Sequence, residues 1–99
     1  MTDKAPEWFV YMIRCSGGQL YTGIATDVER RLAEHSSGKG AKFLRGKAPL
    51  QLVFQQCIGS RSAALRAEAA IKKLGRADKE TIVQAGRFLS PPLRADQEG

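Results

Sequence analysis

The sequence predicts a small α+β domain, a mainly antiparallel three-stranded sheet flanked by helices in the order β-β-α-β-α-α. Three observations carry that expectation. Two β-branched and aromatic runs, "WFVYMIR" (8–14) and "QLYTGI" (19–24), flank a Gly17-Gly18 turn. Three later segments have helical start and stop residues around apolar positions at helical spacing. The 99 residues, 42% hydrophobic and 26% charged, suit one modest core, with neither internal repeat nor linker.

The first run is a strand because Trp8, Phe9, Val10, Tyr11 and Ile13 favour a pleated, half-buried surface. "QLYTGI" is its partner. "TDVERRLAEH" (26–35) reads as a helix, with Thr26 at N-cap, Glu29 completing a capping box and Asp27 favouring the positive helix end. A basic loop follows, then "LQLVFQQC" (50–57) as the third strand after Pro49. "SRSAALRAEAAIKKLG" (60–75) is a helix with a serine N-cap and Gly75 placed to end it. "DKETIVQAG" (78–86) is a shorter helix closed by Gly86. The chain divides into an N-terminal tail (1–7), one domain (8–89) and a loose tail (90–99).

The hairpin turn decides where the only two tyrosines point. A two-residue Gly17-Gly18 loop pairs Arg14 with Tyr21, which sends Tyr11 and Tyr21 to opposite faces. A three-residue loop, Ser16-Gly17-Gly18, pairs Ile13 with Tyr21 and puts Gly18 in the left-handed position of a type I turn plus bulge. In that register, which is the favoured one, both phenols share a face as diagonal neighbours within roughly 7–8 Å.

Polar residues recur on the inward helix stripes. Val28, Arg31, Leu32 and His35 form one stripe of the first helix, and the apolar pair must face inward. Arg31 and His35 are thereby aimed toward the sheet. The ordinary reading is an arginine snorkelling at the core edge and a satisfied histidine. In the long helix, Ala64, Leu65, Glu68, Ile71 and Lys72 form a stripe that carries Glu68 inward. An i,i+4 pair with Lys72 is the ordinary explanation there. Two tyrosines, an arginine, a histidine and a glutamate converging on one sheet face suggest chemistry.

The charge balance of +6 and pI of about 9.8 point to a polyanionic partner. Between Ser36 and Pro49, Lys39, Lys42, Arg45 and Lys47 have no acidic neighbour. Cys15 and Cys57 lack metal-ligand spacing and His35 is the only histidine, which argues against zinc. The cysteines read as reduced core fillers. No apolar run approaches the ~18 residues of a membrane span, and no secretory signal is apparent, so a cytoplasmic location is expected.

At these residues the chain resembles the GIY-YIG nuclease superfamily. "VYM" (10–12) stands where that family has GIY, and "YTG" (21–23) where it has YIG, about ten residues apart. "ERRLAEH" matches the family's arginine helix and "AEAAIKKL" (67–74) the helix with its metal-binding glutamate. The likeness spans roughly residues 8–83 and looks most like the small, stand-alone, single-domain bacterial branch.

The resemblance implies a metal-dependent endonuclease acting on nucleic acid, DNA favoured over RNA, with DNA repair as a setting. It implies that Tyr11 and Tyr21 bracket the attacking water, one of them as general base, with Tyr11 preferred. Gly23 would keep the strand end uncrowded near the phosphate. Arg31 would hold the scissile phosphate, and His35 would assist the nucleophile or a phosphate oxygen. Glu68 would bind one divalent metal, Mg²⁺ or Mn²⁺. Lys39, Lys42, Arg45 and Lys47 are the candidate phosphate contacts, and a protein partner could supply specificity.

Two departures stand out. The chain has no asparagine, where many members place one after the metal glutamate, and Ile24 stands where some repair nucleases have lysine. The competing readings are a non-catalytic nucleic-acid-binding module of the same fold and a subunit whose basic loop docks an acidic protein.

Overall fold

A computed structural model describes residues 6–88, so the tail expected from residue 90 lies outside the described residues. The order is as predicted: β1 (Trp8–Arg14), β2 (Leu20–Ala25), α1 (Val28–Ser36), β3 (Gln51–Gly59), α2 (Arg61–Lys72) and α3 (Arg76–Ala85). One 3-10 turn, Lys42–Leu44, interrupts the basic loop. The sheet is antiparallel with strand order β2-β1-β3.

Alternation along the central strand builds two cores. Val10 and Met12 pack with Phe54, Ala67, Ile71 and Ile82, so α2 and α3 cover one face. Tyr11 and Ile13 pack with Cys15, Ala25, Val28 and Leu44, so α1 and the basic loop cover the other.

The hairpin takes the three-residue loop. Ile13 pairs with Tyr21 and Tyr11 with Gly23. The Cys15 N–H donates to Gln19 O at 2.9 Å, and the Gly18 N–H returns to Cys15 O at 2.9 Å. Gly18 has φ of 94°, the left-handed region in which glycine carries no Cβ penalty.

Five local expectations are corrected. Asp27, not Thr26, caps α1, its Oδ1 accepting from the Arg30 N–H at 3.1 Å. The two residues are adjacent candidates, and a carboxylate accepts the more strongly at a helix N-terminus. Ser60 caps α2 as expected, accepting from the Ala63 N–H, but the helix ends at a Lys73 cap. Gly75 instead opens α3, which starts at Arg76 rather than 78 and closes on Gly86 with φ of 76°. The buried stripe of α2 is Ala64, Ala67 and Ile71, while Leu65 is exposed. Cys15 is buried, but Cys57 lies exposed on β3, where it donates to Glu7 Oε1 at 3.4 Å rather than filling the core.

Arginines fasten α3 to the hairpin. Arg14 donates to both Glu80 oxygens, at 2.7 and 2.8 Å, a bidentate geometry that suits the planar guanidinium. Arg76 adds a 3.0 Å bond to Glu80 and a 2.9 Å bond to Gly18 O. Hydrogen bonds from Arg14, then Arg76, hold the Glu80 carboxyl at about 2, down from 4.5. A carboxyl depressed on folding adds stability above its unfolded pKa and loses it as pH falls toward the folded value. Glu80→Gln should therefore flatten the acid loss of stability between pH 4.5 and about 2 relative to the parent, read by denaturant melts across that range. Equal acid sensitivity in both proteins would show that the clamp is energetically idle.

Candidate active site

Tyr11 and Tyr21 occupy one sheet face, with ring centroids 6.4 Å apart. Gly23 is what makes room for them. A Cβ at position 23 would lie 2.6 Å from Tyr11 Oη, 2.7 Å from its Cζ and 3.1 Å from Tyr21 Cε2. The Tyr11 ring thus lies across its own cross-strand partner, a placement that only glycine permits.

α1 brings His35 onto the same face, 2% exposed, with Nε2 2.8 Å from Tyr11 Oη. Its other nitrogen, Nδ1, accepts from the Ala41 backbone N–H at 3.0 Å. A backbone N–H can only donate, so Nδ1 carries no proton and the ring's single N–H is on Nε2. That N–H donates to the phenol oxygen. Burial and then the Arg31 charge lower the His35 pKa, in keeping with a neutral ring. Gly40 permits the arrangement, because a Cβ there would collide with His35 Nδ1.

Arg31 stands at the rim, its side chain 39% exposed and its NH1 donating to Glu34 Oε1 at 2.9 Å. The Tyr11 hydroxyl is pushed up to about 12 by burial, then by Tyr21, with Glu68 adding to the rise and Arg31 opposing it. At rest Tyr11 is a phenol.

Glu68 is carried by a helix packed on the face of β1 opposite the tyrosines, where the sequence suggested that it would face them. It stands on α2, whose neighbours Ala67 and Ile71 pack on the Val10–Met12 side. Its charge nevertheless acts on Tyr11. Among the described residues it pairs with Lys72, Oε2 to Nζ 3.1 Å, and not with Arg31. The Glu68 side chain is 19% exposed and that of Lys72 53%, so a mostly covered carboxylate has a loosely held partner. No group of three or more His, Cys, Asp or Glu among the described residues could hold a metal. Any ion would depend on one carboxylate plus water and substrate oxygens, a donor set that Mg²⁺ accepts.

The basic loop closes the site on the α1 side. Leu44 is buried at 1% and Lys47 O accepts from the Ser16 N–H at 3.0 Å, which pins the loop to the core and the hairpin. Lys39, Lys42 and Arg45 are exposed, and Lys47 Nζ lies 4.5 Å over the Phe43 ring. Phe43 stacks on Tyr21, centroids 6.0 Å apart at 21°.

Sequence reasoning missed Phe43, Gly40, Glu34 and the Ala41 N–H. Phe43 could have been found as the one aromatic in the basic stretch, and Glu34 as an acid at i+3 from Arg31. Gly40 and Ala41 act through loop folding that no local pattern encodes.

The GIY-YIG catalytic domain model matches residues 7–81. A UPF0213 protein of Cronobacter sakazakii is 61% identical over 77 residues, covering 78% of this chain and 81% of its own length. The UPF0213 protein YhbQ of Escherichia coli K12 is 57% identical over 79 residues, with 80% and 79% covered. The solution NMR structure of a UPF0213 protein from Bacillus halodurans superposes with a TM-score of 0.53 at 43% identity, covering 80% of this chain and 84% of that one. A protein from E. faecalis, 34% identical, superposes with a TM-score of 0.57 over 100% of this chain and 97% of its own. With a family model spanning three quarters of its length and close relatives covering most of it, the chain belongs to the GIY-YIG family, among its small UPF0213 members.

Proposed function

We propose that the protein is a metal-dependent endonuclease hydrolysing nucleic-acid phosphodiesters, DNA in preference to RNA, in a repair setting. The observation that carries this reading is the fixed His35 tautomer, which aims an N–H at a phenol oxygen on which Arg31 and Glu68 also act.

Tyr11 is the general base in its phenolate form, its own proton having passed to solvent. The phenolate takes a proton from water as the water oxygen bonds to phosphorus, and the bond to the leaving nucleoside oxygen breaks with that oxygen protonated from solvent. A pKa of about 12 would leave only about one phenolate in 10⁵ sites at neutral pH. Positive charge must therefore gather at the oxygen before it can act. The His35 N–H stabilises the phenolate directly. Arg31, steadied by Glu34, offers its remaining donors to phosphate oxygens in a planar fork that lysine lacks. Tyr21, between His35 and Phe43, confines the water on the other side. Mg²⁺ or Mn²⁺, one ion on Glu68 with water and phosphate oxygens, would supply charge that favours both the phenolate and the pentavalent transition state. One observation favours a binding-only module instead: Lys72 already occupies Glu68.

The deciding assay is incubation with single-stranded, duplex, nicked and branched DNA and RNA, with Mg²⁺ or EDTA. Cleavage should require the ion. Tyr11→Phe, Arg31→Ala and Glu68→Ala should each lower the rate by about two orders of magnitude or more. No cleavage of any substrate, or variants equal to the parent, would leave the binding-only module.

The loop cations should behave as phosphate contacts. Replacing Lys39, Lys42, Arg45 and Lys47 together by alanine should weaken binding of every sequence alike. The log K against log salt slope should flatten by up to ~4 units. An unchanged slope would mean that these charges face only solvent.

Glu68→Gln separates ligand from strut. Its lysine partner is half exposed, so in EDTA the change should cost no more than about 0.5 kcal/mol in a denaturant melt while cleavage in Mg²⁺ is lost. A loss of about 3–5 kcal/mol would mark Glu68 as half of a structural ion pair.

A further inference from the structure

We infer that Phe43 is a stacking platform for an unpaired nucleobase beside the scissile phosphate, which makes the substrate class single-stranded or splayed nucleic acid. The inference rests on the nuclease reading for the phosphate's position, and on the loop alone for the binding.

Phe43 is 48% exposed, one of two large apolar side chains so placed among the described residues. The other, Leu65, sits on α2 away from the basic loop. Exposure of Phe43 is imposed by the 3-10 turn, which drives Leu44 into the core and turns the preceding ring outward. The ring is also held in orientation. It lies nearly parallel to Tyr21, and Tyr21 meets His35 edge-on at 5.5 Å, so three rings run from the Tyr11 hydroxyl outward to Phe43.

The surroundings identify the occupant. From Ser36 to Pro49 there are four cations and no acid, and this aromatic stands in their midst. A charged groove that tracks phosphates, joined to an aromatic that takes base faces, is the arrangement that binds single strands. A continuous duplex offers phosphates but no free base face, since each is already stacked. Lys47 is the side chain over the ring at present. An ammonium over an exposed ring is held more weakly than a stacked base. The arriving base displaces it, and the freed ammonium meets a phosphate. Stacking takes any base and does not read the sugar, so DNA and RNA strands share this chemistry.

The test uses the full chain carrying Glu68→Gln, in EDTA, so that binding is read without cleavage. The probes are a fluorescently labelled mixed-sequence DNA strand, the same strand annealed to its complement, and the matching RNA strand. Adding Phe43→Ala should weaken single-strand binding about tenfold and leave duplex binding unchanged. The salt slope should not move, because no charge is lost. Phe43→Leu, which keeps apolar bulk should the alanine variant fold poorly, should match the alanine result. Phe43→Trp should retain affinity, with indole fluorescence quenched by single strands and not by duplex. Equal losses on both DNA forms, no loss on either, or full affinity in Phe43→Leu would overturn the platform. Failure of the parent protein to cleave in Mg²⁺ would remove the nuclease reading without touching these affinities.

Discussion

The 2.8 Å contact between His35 Nε2 and Tyr11 Oη is the constraint on which the rest of the site depends. For the histidine to donate there, its other nitrogen must be a bare acceptor, and a backbone N–H must reach it. Ala41 supplies that N–H only because Gly40 lets the chain pass against the imidazole. For the phenol to receive the donation, its ring must lie over position 23, where only hydrogen fits. Two glycines far apart in sequence thus serve one hydrogen bond. The basic loop is held by the same bond network, so its exposed cations and the Tyr11 hydroxyl are positioned together.

The sheet explains how so small a domain assembles this. β1 is buried on both faces and separates two cores, and the candidate residues come from both layers. Arg31 and His35 arrive with α1, and Glu68 with α2 from the opposite layer. The layers are kept in register by β1 itself and by the Arg14–Glu80–Arg76 clamp, which binds α3 to the hairpin that carries Tyr21. A shift of either layer would change the spacing of charges around Tyr11.

Much of this was legible in the sequence where a local rule narrowed the choice. Of the two hairpin registers open to Gly17-Gly18, the three-residue Ser16-Gly17-Gly18 loop was favoured because it suits a type I turn closed by a left-handed Gly18, and the structure takes it, with both phenols on one face. Ser60 and Gly86 were read correctly as a start and a stop for the same kind of reason. Where neighbours competed, local rules chose wrongly. Thr26 and Asp27 both suit an N-cap, and Gly75 can end one helix or begin the next. The glutamate's layer was missed because a helix stripe tells which residues face a sheet, not which side of the sheet the helix covers. The partner of His35 and the stacking of Phe43 lie further out of reach. Both depend on how a loop of glycine and lysine returns to α1 and β2, and no period or cap in that loop encodes the path.

The charge balance around Tyr11 gives the arrangement its functional sense. Burial, Tyr21 and Glu68 all oppose ionisation of the phenol, and Arg31 only partly offsets them. A substrate phosphate adds further negative charge, so by itself it would push the hydroxyl higher still. As the proposed base, a phenol so placed would stay inert until cations enter with the substrate or are redirected by it. Arg31 is shared between Glu34 and the Tyr11 hydroxyl, and its half-exposed guanidinium keeps further donors for a phosphate. The Lys47 ammonium rests over the Phe43 ring face. Arg31, the cation that acts on the phenol, stands at the half-exposed rim, while the burial and the Tyr21 ring that hold the phenol protonated are fixed by the fold. On the proposed nuclease reading, that asymmetry would keep the base idle until nucleic acid is in place.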